Sequence, residues 1–287
     1  MKTTINVSIC MITYGQEKFI YDAIMGVLEQ RCTYDIELII AEDCSPDNTI
    51  VVVNNIIETH PLGHKIKYTR HNSNKGMMSN FIWAIGQCKG NYIAFCEGDD
   101  YWIDPQKLQK QIDFLEINPD YSIIHSDYVL LTPSGDIKSN NILPILDYDI
   151  NYLIQYNCIR TVTCVLRNKQ DITYGLSSDL PYGDWPLFLN SMRYGKSKFL
   201  TDITAVYRTN VGVTSSHNFR FPIFNRIKIL NWFSDMNPKY KMACKYSLAL
   251  QYRKLVSKKD NKIFKYGIMF LLNYLLSVKY KYKHFLF

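Results

Sequence analysis

Phe95-Cys96-Glu97-Gly98-Asp99-Asp100-Tyr101-Trp102 ends an apolar run on three carboxylates within four residues. Carboxylates gathered on one rim repel each other unless a cation or hydrogen-bond donors satisfy them. Gly98 permits close approach of a neighbour at this point. The run leading in, 91–96, reads as a buried strand, and 105–117 reads as a helix with Asp104 at its N-cap and Pro105 at its first position. Toward the N-terminus, strand and helix alternate. Residues 5–13 form a β-rich apolar run, and 17–30 carries Phe19, Ile20, Ala23, Ile24, Val27 and Leu28 at helical spacing. Residues 36–41 read as a short buried strand, 47–59 as a helix with a polar start, 65–69 as a strand and 77–88 as a helix. This alternation predicts a parallel sheet with helices on both faces.

In such sheets a ligand sits outside the carboxyl ends of the strands. The residues just after each strand therefore carry the information: Thr13-Tyr14-Gly15 after the first, Glu42-Asp43-Cys44-Ser45 after the second, Glu97-Gly98-Asp99-Asp100 after the fourth. Two of these three are acidic. Hard divalent cations prefer oxygen ligands and are commonly held by one or two carboxylates plus substrate phosphates. An acidic turn that merely caps the next helix is the alternative, but Asp104 already stands where that cap is needed. Past residue 120 the pattern is less regular, with strands at 121–131, 161–166 and 199–207, a turn at 133–136, a helix at 186–194, and helical periodicity from about 221 onward.

The chain has 287 residues, 47% of them apolar, enough for one large domain or a domain with an appendage. Its +7 charge is unevenly spread. Residues 253–287 hold nine of the 33 Lys and Arg but only one of the 26 Asp and Glu, which leaves 24 bases and 25 acids in residues 1–252, a net −1. Such asymmetry points to a tail that meets an anionic surface. The eight cysteines show no CxxC pair and no metal-ligand spacing, and Cys10 and Cys96 sit in apolar runs as small core residues. With no apolar leader of the usual form, a reducing, cytoplasmic setting is expected. The low-charge stretch in the tail, 266–278, is 13 residues, short of the roughly 20 needed to span a bilayer. Basic residues around an apolar aromatic centre suit a helix lying in the membrane interface, peripheral on the inner face. Packing of that helix on the catalytic domain is the alternative.

These features together resemble family 2 glycosyltransferases. The resemblance rests on Val7-Ser8-Ile9-Cys10-Met11-Ile12-Thr13-Tyr14, on 37–49 (Glu-Leu-Ile-Ile-Ala-Glu-Asp-Cys-Ser-Pro-Asp-Asn-Thr), on Asn74-Lys75-Gly76 with Asn80, on Glu97-Gly98-Asp99, and on Gly183-Asp184-Trp185 and Val206-Tyr207-Arg208. The motifs run in the family's order from about residue 5 to 216; each is weak alone and the ordered set is strong. The resemblance implies an α/β fold of the GT-A type: a Rossmann-like, nucleotide-sugar-binding, mostly parallel sheet flanked by helices. Its catalytic domain would be 1–220, with a nucleotide-binding half at 1–120 and an acceptor half at 121–220, followed by a helical C-terminal extension at 221–287. By the same resemblance, Thr13 and Tyr14 line the base pocket, Asp43 accepts a hydrogen bond from the base, and Lys75 and Arg208 lie on the donor side. Asp99 ligates a divalent metal, Mg²⁺ or Mn²⁺, with Glu97 near the ribose or in the metal shell. Asp100 shapes the donor-sugar pocket and Asp184 is the catalytic base. The implied reaction moves a sugar with inversion from a nucleotide-sugar, UDP-linked by family habit, to a hydroxyl of a saccharide acceptor, with a polyprenol-linked acceptor among those the resemblance allows.

Two positions depart from the family pattern. Glu97 stands where Asp is common. Thr209-Asn210 stands where relatives often carry His, so Asn210 or His217 would have to substitute. Structural roles compete for several residues: a turn and helix cap for Asp43 and Ser45, an N-cap for Asp184, packing for Trp102 and Trp185, an ordinary turn for 74–76, and an ion pair for Arg208. Two other functions compete as well. A sugar nucleotidyltransferase would show a glycine-rich basic phosphate loop after the first strand, which Tyr14-Gly15-Gln16-Glu17 lacks. A binding protein acting through its basic aromatic tail could stack on single-stranded nucleic acid, but the acidic rim repels phosphate, so no nucleic-acid partner is expected.

Overall fold

The computed structural model describes residues 6–139, 145–211, 220–257 and 263–284. It divides into two compact units, one of Met1–Asp149, Ile159–Ser178 and Tyr182–Ser215, the other of Ile150–Cys158, Asp179–Pro181 and Ser216–Phe287.

The first unit opens with the expected alternation: β1 (Val7–Thr13), α1 (Ile20–Leu28), β2 (Ile36–Glu42), α2 (Thr49–Thr59), β3 (Ile66–Arg70), α3 (Met77–Gln87) and β4 (Tyr92–Phe95). These four strands pair in parallel in the order β3-β2-β1-β4. β1, β2 and β4 carry almost uninterrupted apolar runs because both faces are covered, with Ile9, Met11, Leu38, Ile40 and Ala94 all buried. A short β5 (Tyr101–Trp102), α4 (Lys107–Ile117), β6 (Tyr121–Leu131), β7 (Ile137–Ser139), β8 (Asp147–Tyr148), β9 (Val165–Arg167), α6 (Asp184–Ser191) and β10 (Lys196–Arg208) complete it; α5 (Ile150–Gln155) lies in the second unit.

The sheet is mixed beyond β4. β9 runs antiparallel between β4 and β6, while β6 and β10 pair in parallel, so the order continues β4-β9-β6-β10-β5. Only the last two residues of the strand expected at 161–166 are strand. Residues Thr161–Thr163 form a 3-10 turn, closed where the Thr163 N–H and Oγ1 both donate to the Arg160 carbonyl, and the strand begins at Val165. Helix α4 starts two residues later than the sequence suggests, with Gln106 at its N-cap. Asp104 is therefore not the cap; its carboxylate accepts the Gln106 N–H in the preceding turn and pairs with Lys110. Cys10 and Cys96 are core residues, and Trp102 and Trp185 are buried packing residues. All eight cysteines are free.

The second unit is helical: α5, α7 (Arg220–Met236), α8 (Lys241–Ser257) and α9 (Ile263–His284), with α8 packed against the other three or their connections. Among the described residues no helix is long and apolar enough to cross a membrane.

Candidate active site

The carboxyl ends of β1 and β2 are fastened to each other before any side chain faces a ligand. The Gly15 N–H donates to Ser45 Oγ (2.9 Å), the Gln16 N–H to Thr49 Oγ1 (3.1 Å) and the Glu17 N–H to the Asp47 carboxylate (3.0 Å). The 45–49 motif is thus a staple that holds the loop after β1, and Cys44, at φ 60°, turns the chain between Asp43 and Ser45. The Asp43 N–H donates to the Thr13 carbonyl at 3.0 Å, so these two predicted site residues meet at one edge. Asp43 is buried and its carboxylate accepts the N–H groups of Lys75 (2.7 Å) and Gly76 (2.9 Å). A carboxylate has about four acceptor positions, and with two of them filled Asp43 can still accept a further donor. Gly76 sits at φ +83°, a conformation that explains glycine in this turn. The Lys75 side chain is exposed, and so is Tyr14, at 48%. Asn80 is structural: buried, it donates to the Ala41 carbonyl and contacts His71 Nε2 at 3.0 Å.

The acid triplet abuts the same edge. The Gly98 N–H donates to the Ile12 carbonyl at 3.1 Å, and a Cβ at Gly98 would lie 2.8 Å from Thr13 Oγ1 and overlap Gln16 Oε1. Only glycine fits. Asp100 is buried, and its Oδ1 accepts the Arg208 N–H at 2.8 Å, which ties the triplet to the end of β10. Burial, and then Asp100, Asp99 and Asp184, push the Glu97 carboxyl well above the usual range. Asp100 is raised by burial and by Asp99, and Asp99 is raised by burial against the opposing pull of Arg208 and Gln16. Arg208 is committed within the protein. Its guanidinium pairs with Asp22 at 2.5 Å, donates to the Asp99 carbonyl at 2.9 Å and lies 4.5 Å over the Tyr101 ring. Its position is the ion pair that competed with the donor-side reading, and it braces the backbone of the triplet.

Asp184 is the first residue of α6, not its N-cap, which is Gly183. A Cβ at Gly183 would overlap the Phe81 ring, so this glycine lets the helix start close against α3. Asp184 Oδ2 accepts a long hydrogen bond from Thr161 Oγ1 (3.5 Å), while Oδ1 is buried without a partner. Burial raises its affinity for a proton, and the Trp185 N–H and Arg160 oppose that. A half-buried carboxylate with one oxygen free and its pKa moved toward neutrality has the properties of a general base.

Sequence reasoning missed Arg160 and Gln16. The Arg160 guanidinium lies 5.0 Å over Tyr207 and 5.8 Å over Tyr128, and its Nε donates to the Tyr128 hydroxyl at 3.1 Å. Its charge acts on both Asp184 and Asp100. A lone cation just before an apolar run was the available signal. Gln16 interacts with Asp99 and has its Oε1 buried without a partner. Asn210 is exposed at φ 62°, a conformation that asparagine tolerates, and His217 lies outside the described residues.

Among the described residues no three His, Cys, Asp or Glu side chains form a ready metal cage. Asp99 and Glu97 are two carboxylates, and a cation held by them would take its other ligands from phosphate and water. The site fits such a cation: it is all oxygen, its carboxyls are destabilised by burial and mutual repulsion, and Thr13 Oγ1 is buried beside it without a partner.

Comparison with known proteins agrees with this geometry. Residues 8–168 match the family model described as glycosyl transferase family 2. An uncharacterised protein of Mycobacterium bovis is 30% identical over 204 residues, 70% of this chain, which spans 58% of that relative's length. The UDP-Glc:alpha-D-GlcNAc-diphosphoundecaprenol beta-1,3-glucosyltransferase WfaP of Escherichia coli is 30% identical over 226 residues, 75% of this chain and 81% of WfaP. The crystal structure of S. aureus TarS 1-349 in complex with UDP-GlcNAc superposes with a TM-score of 0.57 at 13% identity, over 98% of this chain and 93% of TarS 1-349, a likeness of fold. The fold is GT-A, and because the family match runs from β1 through the acid triplet to β9, the chain belongs to glycosyl transferase family 2.

Proposed function

We propose that this chain transfers a sugar, with inversion, from a nucleoside-diphosphate sugar to a hydroxyl of a saccharide acceptor in cell-surface polysaccharide synthesis. The observation that carries the reading is Asp184: a half-buried carboxylate whose Oδ1 is buried without a partner and whose charge acts on Glu97 of the acid triplet. The Asp184 carboxylate takes the proton from the acceptor hydroxyl as that oxygen attacks the anomeric carbon. The bond from the anomeric carbon to the diphosphate oxygen breaks, and the nucleoside diphosphate leaves with the electron pair. A base opposite the leaving group gives inversion. Asp43 reads the nucleobase, for which uridine is assigned, with Thr13 and Tyr14 lining its pocket. Lys75 flanks the donor and Asp100 shapes the sugar pocket. Arg208 holds the triplet in place from beneath. A divalent cation, Mg²⁺ or Mn²⁺, would be held by Asp99 and Glu97 and would supply Lewis-acid stabilisation of the leaving diphosphate.

WfaP, whose printed name gives a diphosphoundecaprenol-linked acceptor, supports a lipid-linked acceptor and a peripheral position at the membrane for this chain. The test is product analysis with Asp184→Asn alongside the wild type. The expected outcome is release of nucleoside diphosphate by the wild type, with transfer reduced ~10²–10⁴-fold in the variant while donor still binds. Pyrophosphate release would instead identify a nucleotidyltransferase.

A further inference from the structure

Helix α9 is amphipathic in the inverted sense. Its buried positions include Tyr266, Asn273 and Ser277, whereas Ile268, Leu271, Leu272, Leu275 and Leu276 are exposed by 45%, 54%, 52%, 68% and 52%. Those five recur at the 3–4 residue spacing that puts them in one stripe along one face. A helix designed only to pack on α8 would bury its leucines and expose its asparagine and serine. A continuous apolar face left in water marks a surface that something covers.

The geometry points to an anionic phospholipid surface as that partner, seated on the stripe of Ile268, Leu271, Leu272, Leu275 and Leu276. The inference rests on the peripheral membrane reading above and deepens it by naming the face and the lipid chemistry. Charge selects the occupant. Lys265, exposed, stands one turn before the stripe, and Lys279 and Lys283 continue the same row of positions after it. Residues 253–287 carry nine Lys and Arg against one acid. A second copy of this chain would bring two such strongly basic tails together and be repelled, whereas anionic headgroups complement the tail's charge while acyl chains cover the stripe. No described helix is long and apolar enough to cross the bilayer, and a one-sided apolar stripe suits a helix lying in the plane of the interface.

The test is co-sedimentation of the full chain with phosphatidylglycerol-containing and with pure phosphatidylcholine vesicles. Wild type is expected to bind the anionic vesicles, more weakly in high salt, and the double variant Leu271→Glu/Leu275→Glu to lose roughly tenfold or more of that partitioning, since both leucines would enter the acyl region. Should the double variant fail to fold, an environment-sensitive fluorophore on Leu272→Cys, in a chain whose solvent-reachable Cys32, Cys44 and Cys158 are replaced by serine, gives a second readout, with a blue shift expected only on anionic vesicles. Equal binding of wild type and variant, no blue shift, or a wild-type dimer that the double variant dissociates without any vesicle binding, each overturns the inference. Transfer to a water-soluble acceptor, measured in parallel, depends on the enzymatic reading alone, so the two fail separately.

Discussion

Replacing Lys107 by methionine probes the support beneath the site. Lys107 is fully buried, with its ammonium nitrogen 4.5 Å over the Trp102 ring and donating to Gln111 Oε1 at 2.6 Å. Gln111 in turn donates to the Thr163 carbonyl and Trp102 to the Val162 carbonyl, so this cluster holds the turn that presents Arg160 and Thr161. Burial pushes the Lys107 ammonium down from 10.5 to about 7. That gap corresponds to ~5 kcal/mol between charged and neutral forms. The sign follows from linkage: between pH 7 and 10.5 the unfolded chain holds a proton that the folded chain lacks, so wild-type stability rises with pH across that window, and at or below pH 7 the whole cost of the buried charge is present. Methionine removes the charge and keeps the stem, but leaves Gln111 Oε1 unpaired at about 1–3 kcal/mol. Lys107→Met is therefore expected to be about 2–4 kcal/mol more stable than wild type at pH 6.5 and less stable at pH 10. Urea unfolding at pH 6.5, 8 and 10 measures it. A difference between the two proteins that stays constant with pH would refute the reasoning, because it would mean the lysine keeps its charge in the fold.

His125 makes a second pH test, with the same sign but in the acid range. It is buried with its Nε2 2.7 Å from the Tyr148 hydroxyl, and burial pushes its pKa from 6.5 down to about 3. Its neutral form contributes stability that is present above pH 6.5 and lost as pH falls toward 3, so His125→Gln should flatten the acid limb of the stability curve; an unchanged limb would assign acid unfolding elsewhere. For Arg160→Gln, loss of the cation that holds the Asp184 pKa down should move the acid limb of kcat/KM upward, so that activity falls more at acid pH than at pH 8. A loss independent of pH, with a raised donor KM, would mean that Arg160 holds the diphosphate instead.

The half of the sheet from β1 to β4 was legible because its strands are buried on both faces and its helices repeat every 3–4 residues, signals that live within short windows. The loops after those strands carried Thr13, Asp43, Glu97, Asp99 and Asp100 to the predicted rim for the same topological reason. What lay out of reach was set by distant pairing. β9 is three residues long and takes its place by antiparallel contact with β4 and β6, and the Arg208–Asp22 pair joins residues 186 apart. Neither leaves a local pattern. Asp43 and Ser45 read as a turn and helix cap in sequence; the N-cap of α2 is Asn48, and the staple's partners at Gly15, Gln16 and Glu17 are visible only once β1 and β2 lie side by side.

The central claim, a metal-assisted nucleotide-sugar site built on Asp99, is tested most directly by calorimetric titration of UDP-sugars into wild type and Asp99→Ala, with and without Mn²⁺. The account predicts that one donor binds wild type in the presence of Mn²⁺, and that this dependence is lost in Asp99→Ala while the variant's unfolding transition is unchanged. Donor binding of equal strength with and without metal, in both proteins, would contradict it.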